Sequence, residues 1–423
     1  MSAAAMVSRR AVLAAAVALI TAGCATATGS GSSAELVWAT GGVTGADRDR
    51  ALDIAARWHA LHPDAPKVRV EPLPLSPNET QELLRLELNA GLGSLDILSL
   101  DVVWIPEFAQ RGWLVDLHAL RSEIERVSFP GPVRAAVWNG TLWAAPDTTD
   151  AGILYYRSDL VDQPPTTWQE LVESGRRVGG RKGIAPFVAD GKQYEGLVVQ
   201  FLEYFWGLGG AVFDPDGQSV LFQPDKAVQA VEFMRNAFVQ GVYAPGFNTM
   251  DQEDARKTFQ SGYAVFLRSW PYAYHEIMGG DPDSQVVGRV GIAPLPAFPG
   301  HRPVTALGGH NLAVSAFSRN IPAATEFARF VSTSREVQLA TFQRRSVAPP
   351  TLTAVYRDLA ADPLIALLTK VLPTAKPRPA TTQWATISAE MQQQIFAVYT
   401  GDSDPKAAVT ALRDFLIATV KGS

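Results

Sequence analysis

Between residues 35 and 101 strand and helix signals alternate in an order that leaves few folds open. Glu35 to Thr40 reads as a short strand. After a glycine-rich turn, Ala51, Ile54, Ala55, Trp58 and Leu61 recur at helical spacing and stop before Pro63. Lys67 to Leu75 alternates as a second strand. Ser76-Pro77-Asn78-Glu79 then offers a capping residue, a proline at the first helical position and a first-turn glutamate, so a second helix runs to the glycines at 91 and 93. Leu95 to Leu100 is a buried strand ending in Asp101. The βαβαβ order predicts an α/β fold with a parallel sheet covered by helices, and in such sheets ligands sit beyond the carboxyl ends of the strands. Asp101 stands there, either as a ligand contact or as the cap of the segment that starts near Val102.

The second constraint is WNGTLWAAPDTTDAGILYYR, from Trp138 to Arg157. Asn139-Gly140 between apolar-alternating runs predicts a β-hairpin, because both turn positions need positive φ. The outgoing strand meets Pro146 and the polar run Asp147-Thr148-Thr149-Asp150, and Ile153 to Tyr156 then resumes an extended apolar pattern. One strand thus leads into another across a polar bridge. Such a bridge is either a surface loop or a crossing between two folded bodies, with its polar groups facing a cleft.

Further on, Thr167-Trp168-Gln169-Glu170 after two prolines predicts a capped helix. Helices are expected at about 193 to 207, 224 to 240 and 252 to 261, with a turn at Asp214 to Gly217 and a strand from Ile184 to Val188. Tyr263 to Ser269 is a strand running into Trp270-Pro271, and Gly291 to Leu295 leads into a loop. Leu307-Gly308-Gly309-His310-Asn311 introduces a strand from Leu312 to Ser315. Helices follow at about 321 to 344, 362 to 372, 384 to 399 and 405 to 420.

The first residues do not belong to this fold. Arg9 and Arg10, an apolar run from Ala11 to Thr21, and Ala22-Gly23 ahead of the sole cysteine, Cys24, resemble a bacterial lipoprotein signal; the Ser8 to Leu13 run also resembles a twin-arginine export signal. Residues 1–23 are therefore expected to be a signal peptide and 24–34 a lipid-anchored tether, with Cys24 as the attachment point. One cysteine allows no disulfide within the chain and no cysteine-based metal site. The net charge of −5, with no basic run, argues against nucleic acid as a partner.

Catalytic motifs are missing: there is no nucleophile elbow, phosphate-binding loop or zinc-protease helix. No metal site or cofactor is expected; His59 and His62 share a helix face without an acidic ligand at metal-site spacing. Asp101 and Asp150 form a carboxylate pair of the kind glycosidases use, which leaves a secreted hydrolase of small α-glucosides as an alternative. Sugar recognition otherwise needs carboxylates, arginine forks and aromatic platforms. Trp270, where a strand meets Pro271, and Arg378, between Pro377 and Pro379, suit those roles; the bland alternatives are core packing and a surface charge.

Together, SLDVVWIPEFAQRGWLVDL, NGTLWAAPDTTDAGILYYRSDL, PPTTWQELVE, GKQYEGLVVQFLEY, RSWPYAY, VGIAPLPAFPGHRP, LGGHNLAVS and KPRPATTQW resemble family-1 extracellular solute-binding proteins of carbohydrate ABC importers, nearest to the trehalose/maltose-binding branch and the mycobacterial trehalose-binding lipoprotein. The resemblance implies a non-enzymatic, monomeric receptor with two α/β lobes: 35–147 with 293–343, and 148–292 with 344–423. Crossings are implied near 145 to 151, 288 to 297 and 340 to 350. It also implies that a disaccharide of the trehalose or maltose type is held between the lobes and handed to a permease heterodimer with its ATPase. Asp101 and Asp150 match contacts to sugar hydroxyls, Trp270 a stacking ring, Gly308 and Gly309 backbone amides near the ligand, and Arg378 a fork to hydroxyls. Asp47 and Asn78 match cleft-lining loops. In relatives an amide stands at the position of Asp150 and a tryptophan at that of His310.

Overall fold

The computed structural model describes residues 35–41, 45–214, 219–343 and 349–421. Strands β1 (Leu36–Thr40), β2 (Val68–Pro72) and β3 (Ile97–Asp101) alternate with helices Gly45–Leu61 and Pro77–Ala90. β1 pairs in parallel with both β2 and β3, as the alternation predicts. The second helix starts at Ser76 with Pro77 behind it, yet the Ser76 side chain makes no capping bond; the first turn is closed by the Thr80 N–H donating to the Ser76 carbonyl at 2.9 Å. Gly91, at φ 62°, ends it in the left-handed conformation.

The hairpin at Asn139-Gly140 is present as β4 (Val137–Trp138) and β5 (Thr141–Leu142), with φ of 48° and 77° at the turn. Beyond it come β6 (Ala145–Pro146), β7 (Asp150–Ala151), β8 (Ile153–Arg157), β9 (Ala185–Val188), β10 (Ala264–Ser269), β11 (Val290–Ala293), β12 (Ala306–Gly308), β13 (His310–Val314) and β14 (Lys376–Pro377). The first sheet has the order β2-β1-β3-β13-β6 and the second β11-β8-β10-β9. A third, β14-β12-β7, is built from short strands, of which β7 and β12 lie between the other two sheets in the chain path. The polar run from Asp147 to Asp150 is therefore a crossing: β6 belongs to the first sheet, β7 to the third and β8 to the second. The result is a two-lobe α/β fold of the periplasmic-binding-protein type.

The return crossing differs from the expectation of 288 to 297. β11 still pairs with β8, Ala297 bridges to Thr167, and Phe298 packs on the rings of Tyr204 and Phe233, so residues 293–305 stay with the second body. The chain re-enters the first sheet at Gly309, between β12 and β13. The strand expected to begin at Leu312 begins at His310, and the Leu307-Gly308 run read as its lead-in is the end of β12. The third expected crossing, 340 to 350, lies partly outside the described residues. Beyond that gap the Thr149 N–H donates to the Pro349 carbonyl at 3.1 Å, tying this passage to the first one. The long helix expected from 321 to 344 is two, Ile321–Thr333 and Arg335–Gln343, parted at Ser334, whose backbone is extended. A further helix, Thr353–Asp358, had no distinct sequence signal. The turn from Asp214 to Gly217 lies mostly outside the described residues.

Each body has its own aromatic interior. In the first, Trp58 packs edge-on against Phe327, which also meets Trp38. In the second, Trp168, Tyr204, Phe233 and Phe298 interlock around the helix Glu195–Gly207. That helix is apolar nearly all round because it is buried nearly all round. Two of its polar residues bond inward: Gln200 donates to the hydroxyls of Tyr204 and Tyr243, and Glu203 meets an arginine described below.

Candidate ligand site between the lobes

Asp101 occupies the last position of β3. Its Oδ1 accepts from the Val103 N–H at 3.1 Å, holding the turn ahead of the helix Ile105–Gln110 whose cap position is Trp104 and not Asp101, and from Nη2 of Arg378 at 2.6 Å. Arg378 follows β14 directly and is buried. Its Nη1 donates to Oε1 of Glu195 at 2.6 Å, at the start of the Glu195–Gly207 helix. Glu195 is itself held by Nε1 of Trp384 at 3.0 Å and by the Ser388 hydroxyl. One guanidinium thus joins the strand end of the first lobe to a helix start of the second, in bonds of the strong, charge-assisted class. Its Nε is buried without a partner.

Asp150 opens β7 and pairs with Gly308 of β12. Burial, and then the negative charges of Asp47 and Asp101, push its carboxyl up to about 7 against the opposing effect of Arg268. The same interactions put Asp47, Asp101 and Asp150 in one electrostatic neighbourhood, although they come from a helix start, a strand end and a crossing. Near neutral pH the Asp150 carboxyl can accept or donate a hydrogen bond, which suits a partner made of hydroxyls. Among the described residues no group of three or more His, Cys, Asp or Glu side chains is arranged to hold a metal ion.

Trp270 is half-buried at the end of β10. The Arg268 guanidinium carbon lies 4.2 Å from its ring centroid, and the Tyr155 hydroxyl donates to its carbonyl at 2.8 Å. A Cβ on Gly308 would lie 3.1 Å from Cζ3 of this ring and 3.3 Å from the Asp150 Cβ, so the missing side chain is what lets Trp270 and Asp150 come together. Gly309 has a different reason. Its φ is 110°, and a Cβ there would sit 2.3 Å from the Thr148 carbonyl oxygen. It is required where two crossings pack backbone to backbone, a role the expectation of an amide presented to ligand did not contain.

His310 is exposed beside Asp101 in the β13–β3 register, and its N–H donates to the Thr148 hydroxyl at 3.0 Å. Asn78 is exposed in the first turn of its helix and has no hydrogen bond to the other candidates. The structure thus brings together Asp101, Asp150, Trp270, Gly308, His310 and Arg378, with Asp47 within electrostatic reach of Asp150. Arg378 also lines a cavity of about 1400 Å³ with Trp138, Asn139, Trp206 and Lys376, whose wall includes none of the three aspartates and not Trp270. Cys24, and with it the expected lipid attachment, lies outside the described residues.

Sequence reasoning passed over Glu195, Glu203, Arg268 and the ion pair of Arg50 with Asp147. A signal existed for two of them. Glu203 is a lone acid late in an apolar helix and Arg268 a lone base in the buried strand AVFLRS, and each such charge demands a partner.

The family profile of the bacterial extracellular solute-binding proteins matches residues 12–338. This chain belongs to that family. Its relatives include a probable ABC transporter-binding protein of Deinococcus radiodurans, 34% identical over 84% of this chain and 87% of the relative. A maltooligosaccharide ABC transporter solute-binding lipoprotein of Streptococcus pneumoniae is 21% identical over 67% of each chain. Among solved structures, maltose-bound MalE3 of T. maritima superposes with a TM-score of 0.83 at 35% identity, over 91% of this chain and all of that one. A Thermotoga lettingae solute-binding protein bound with α-D-tagatose, 21% identical with a TM-score of 0.82 over 92% of this chain and all of that one, shares the fold. Members of the family are solute-binding proteins and not enzymes, so the hydrolase reading of Asp101 and Asp150 is set aside.

Proposed function

We propose that this solute-binding protein captures an α-linked glucose disaccharide, of the maltose or trehalose type, between its lobes and delivers it to the permease pair and ATPase of an ABC importer. The observation that carries the reading is the convergence, at the crossing between the sheets, of three aspartates, an arginine fork and a half-exposed indole. Carboxylates and guanidinium match fixed hydroxyls, and an indole face matches the apolar face of a pyranose. The relatives that bind maltose or maltooligosaccharides by name support a sugar.

In this reading Asp101 and Asp150 accept from hydroxyls, Arg378 donates, Trp270 stacks, Gly308 keeps the ring and the carboxylate close, and Asp47 and His310 line the cleft. The short strands β7 and β12 are the hinge: they bond to each other and lie between the sheets, so the lobes rotate about them when a sugar adds contacts to both sides. The lobes are taken as 35–147 with 310–343, and 151–308 with 349–421. The protein acts as a monomer outside the cytoplasmic membrane, tethered through Cys24, the same class of anchoring that the name of the pneumococcal relative states. Calorimetric titration with maltose, trehalose and glucose tests the proposal: the disaccharides bind, glucose binds far more weakly, and the sugar is recovered intact. Uptake of none of them would refute it.

A further inference from the structure

Beneath Trp270 lies a buried ion pair that no ligand contact explains. Arg268 and Glu203 each have side chains 1% exposed, and they meet in two parallel bonds, Nε to Oε2 at 2.9 Å and Nη2 to Oε1 at 2.7 Å. Glu203 Oε1 also accepts from the Ala306 N–H of β12 at 3.1 Å. Thr305 donates its hydroxyl to the Gly152 carbonyl at 2.8 Å, and a Cβ on Gly152 would lie 2.5 Å from both Arg268 Nη2 and Glu203 Oε1. Both crossing segments therefore rest directly on this pair. On the far side, Nη1 of Arg268 is 3.6 Å from Asp190, whose other oxygen takes the Tyr194 hydroxyl at 2.6 Å.

A buried pair of this kind adds little net stability, since apolar residues of similar volume commonly do as well. What it fixes is direction. Arg268 and Trp270 are two residues apart in an extended run and so share a face. The guanidinium plane, locked by Glu203, meets one face of the indole and leaves the half-exposed remainder of the ring to the cleft.

We infer that Arg268, locked by Glu203, is a positioning residue: it sets the orientation of the Trp270 ring before ligand arrives and fixes that ring relative to the hinge strands β7 and β12. The inference rests on Trp270 being the sugar platform. Its consequence is that the ring and the Asp150 strand move as one surface when the lobes rotate, so ordering the ring costs nothing further at the moment of binding.

The test uses the protein labelled with 5-fluorotryptophan, its Trp270 fluorine signal identified by loss in Trp270→Phe. Two variants are compared: Arg268→Lys, which keeps the charge and loses the planar fork, and the double change Arg268→Met with Glu203→Met, which removes both members of the pair together and leaves Asp190 to its hydrogen bond from Tyr194. In the unliganded protein the Trp270 signal is single and sharp; in either variant it broadens or splits. Affinity for whichever of maltose and trehalose binds more tightly falls by about three- to thirtyfold, the span from an exposed to a desolvated cation–π contact. An unchanged Trp270 signal in a folded variant, or an unchanged sugar affinity, overturns the inference while leaving the platform in place. A wild-type protein that takes up neither sugar overturns the proposed function beneath it.

Discussion

Replacing Asp150 with asparagine tests the electrostatics of the crossing. The folded protein holds this carboxyl at about 7, well above the 3.8 of a free aspartate, through burial and through the charges of Asp47 and Asp101. Between those values the folded state binds more protons than the unfolded chain, so stability falls as pH rises from about 4 to about 7 and stays low above. About three units at roughly 1.4 kcal/mol each sets an upper bound near 4 kcal/mol, and partial exposure at the cleft lowers it to about 2 kcal/mol. Asp150→Asn removes the charge and keeps the shape. Urea unfolding at pH 4 and pH 8.5 should give equal stabilities for the two proteins at the lower pH, with the variant ahead by about 2 kcal/mol at the higher. Parallel stability curves across the range would refute the account of a buried Asp150 carboxyl facing the charges of Asp47 and Asp101.

Three other changes probe separate parts. Gly309→Ala puts a Cβ 2.3 Å from the Thr148 carbonyl oxygen in a left-handed backbone position, and should cost at least about 2 kcal/mol in urea unfolding. Asp101→Ala removes one anchor of Arg378 and the proposed charged contact to sugar, and should weaken disaccharide binding by about ten- to a hundredfold in a calorimetric titration. Arg378→Met leaves Asp101 and Glu195 facing the cleft without their shared cation, so both sugar affinity and melting temperature should fall; a loss of affinity alone would mean that Arg378 does not tie the lobes.

The parts of the fold legible in the sequence were those written in local signals. Strands β1 to β3 and their helices followed from periodicity and end residues, the hairpin from Asn139-Gly140, and the helix Trp168–Lys182 from its capping box, which forms in full between Thr167 and Glu170. The return crossing was misplaced because β11, β12 and β13 are short runs separated by glycine and proline, and their membership is decided by pairing with β8, β7 and β3, far away in the chain. Ser334 carries no strong breaker signal, so two helices read as one. At the site, Asp101 stood out by its place at a strand end, Asp150 by the polar bridge and Arg378 by its flanking prolines, and the resemblance supplied their expected roles, whereas Glu195 and the Arg268–Glu203 pair have meaning only through partners the fold brings to them. Gly309 was picked for a contact to ligand, and its backbone angle and the nearness of Thr148 add a structural requirement that the sequence did not announce.

The most direct test of the central claim is the melting temperature of the purified protein against a panel of maltose, trehalose, glucose and ribitol at millimolar concentration, because only a ligand that prefers the native state raises it. The account predicts a clear rise with maltose or trehalose, little with glucose or ribitol, and loss of the rise in Asp101→Ala. A midpoint unmoved by any sugar, or moved equally in the variant, would contradict it.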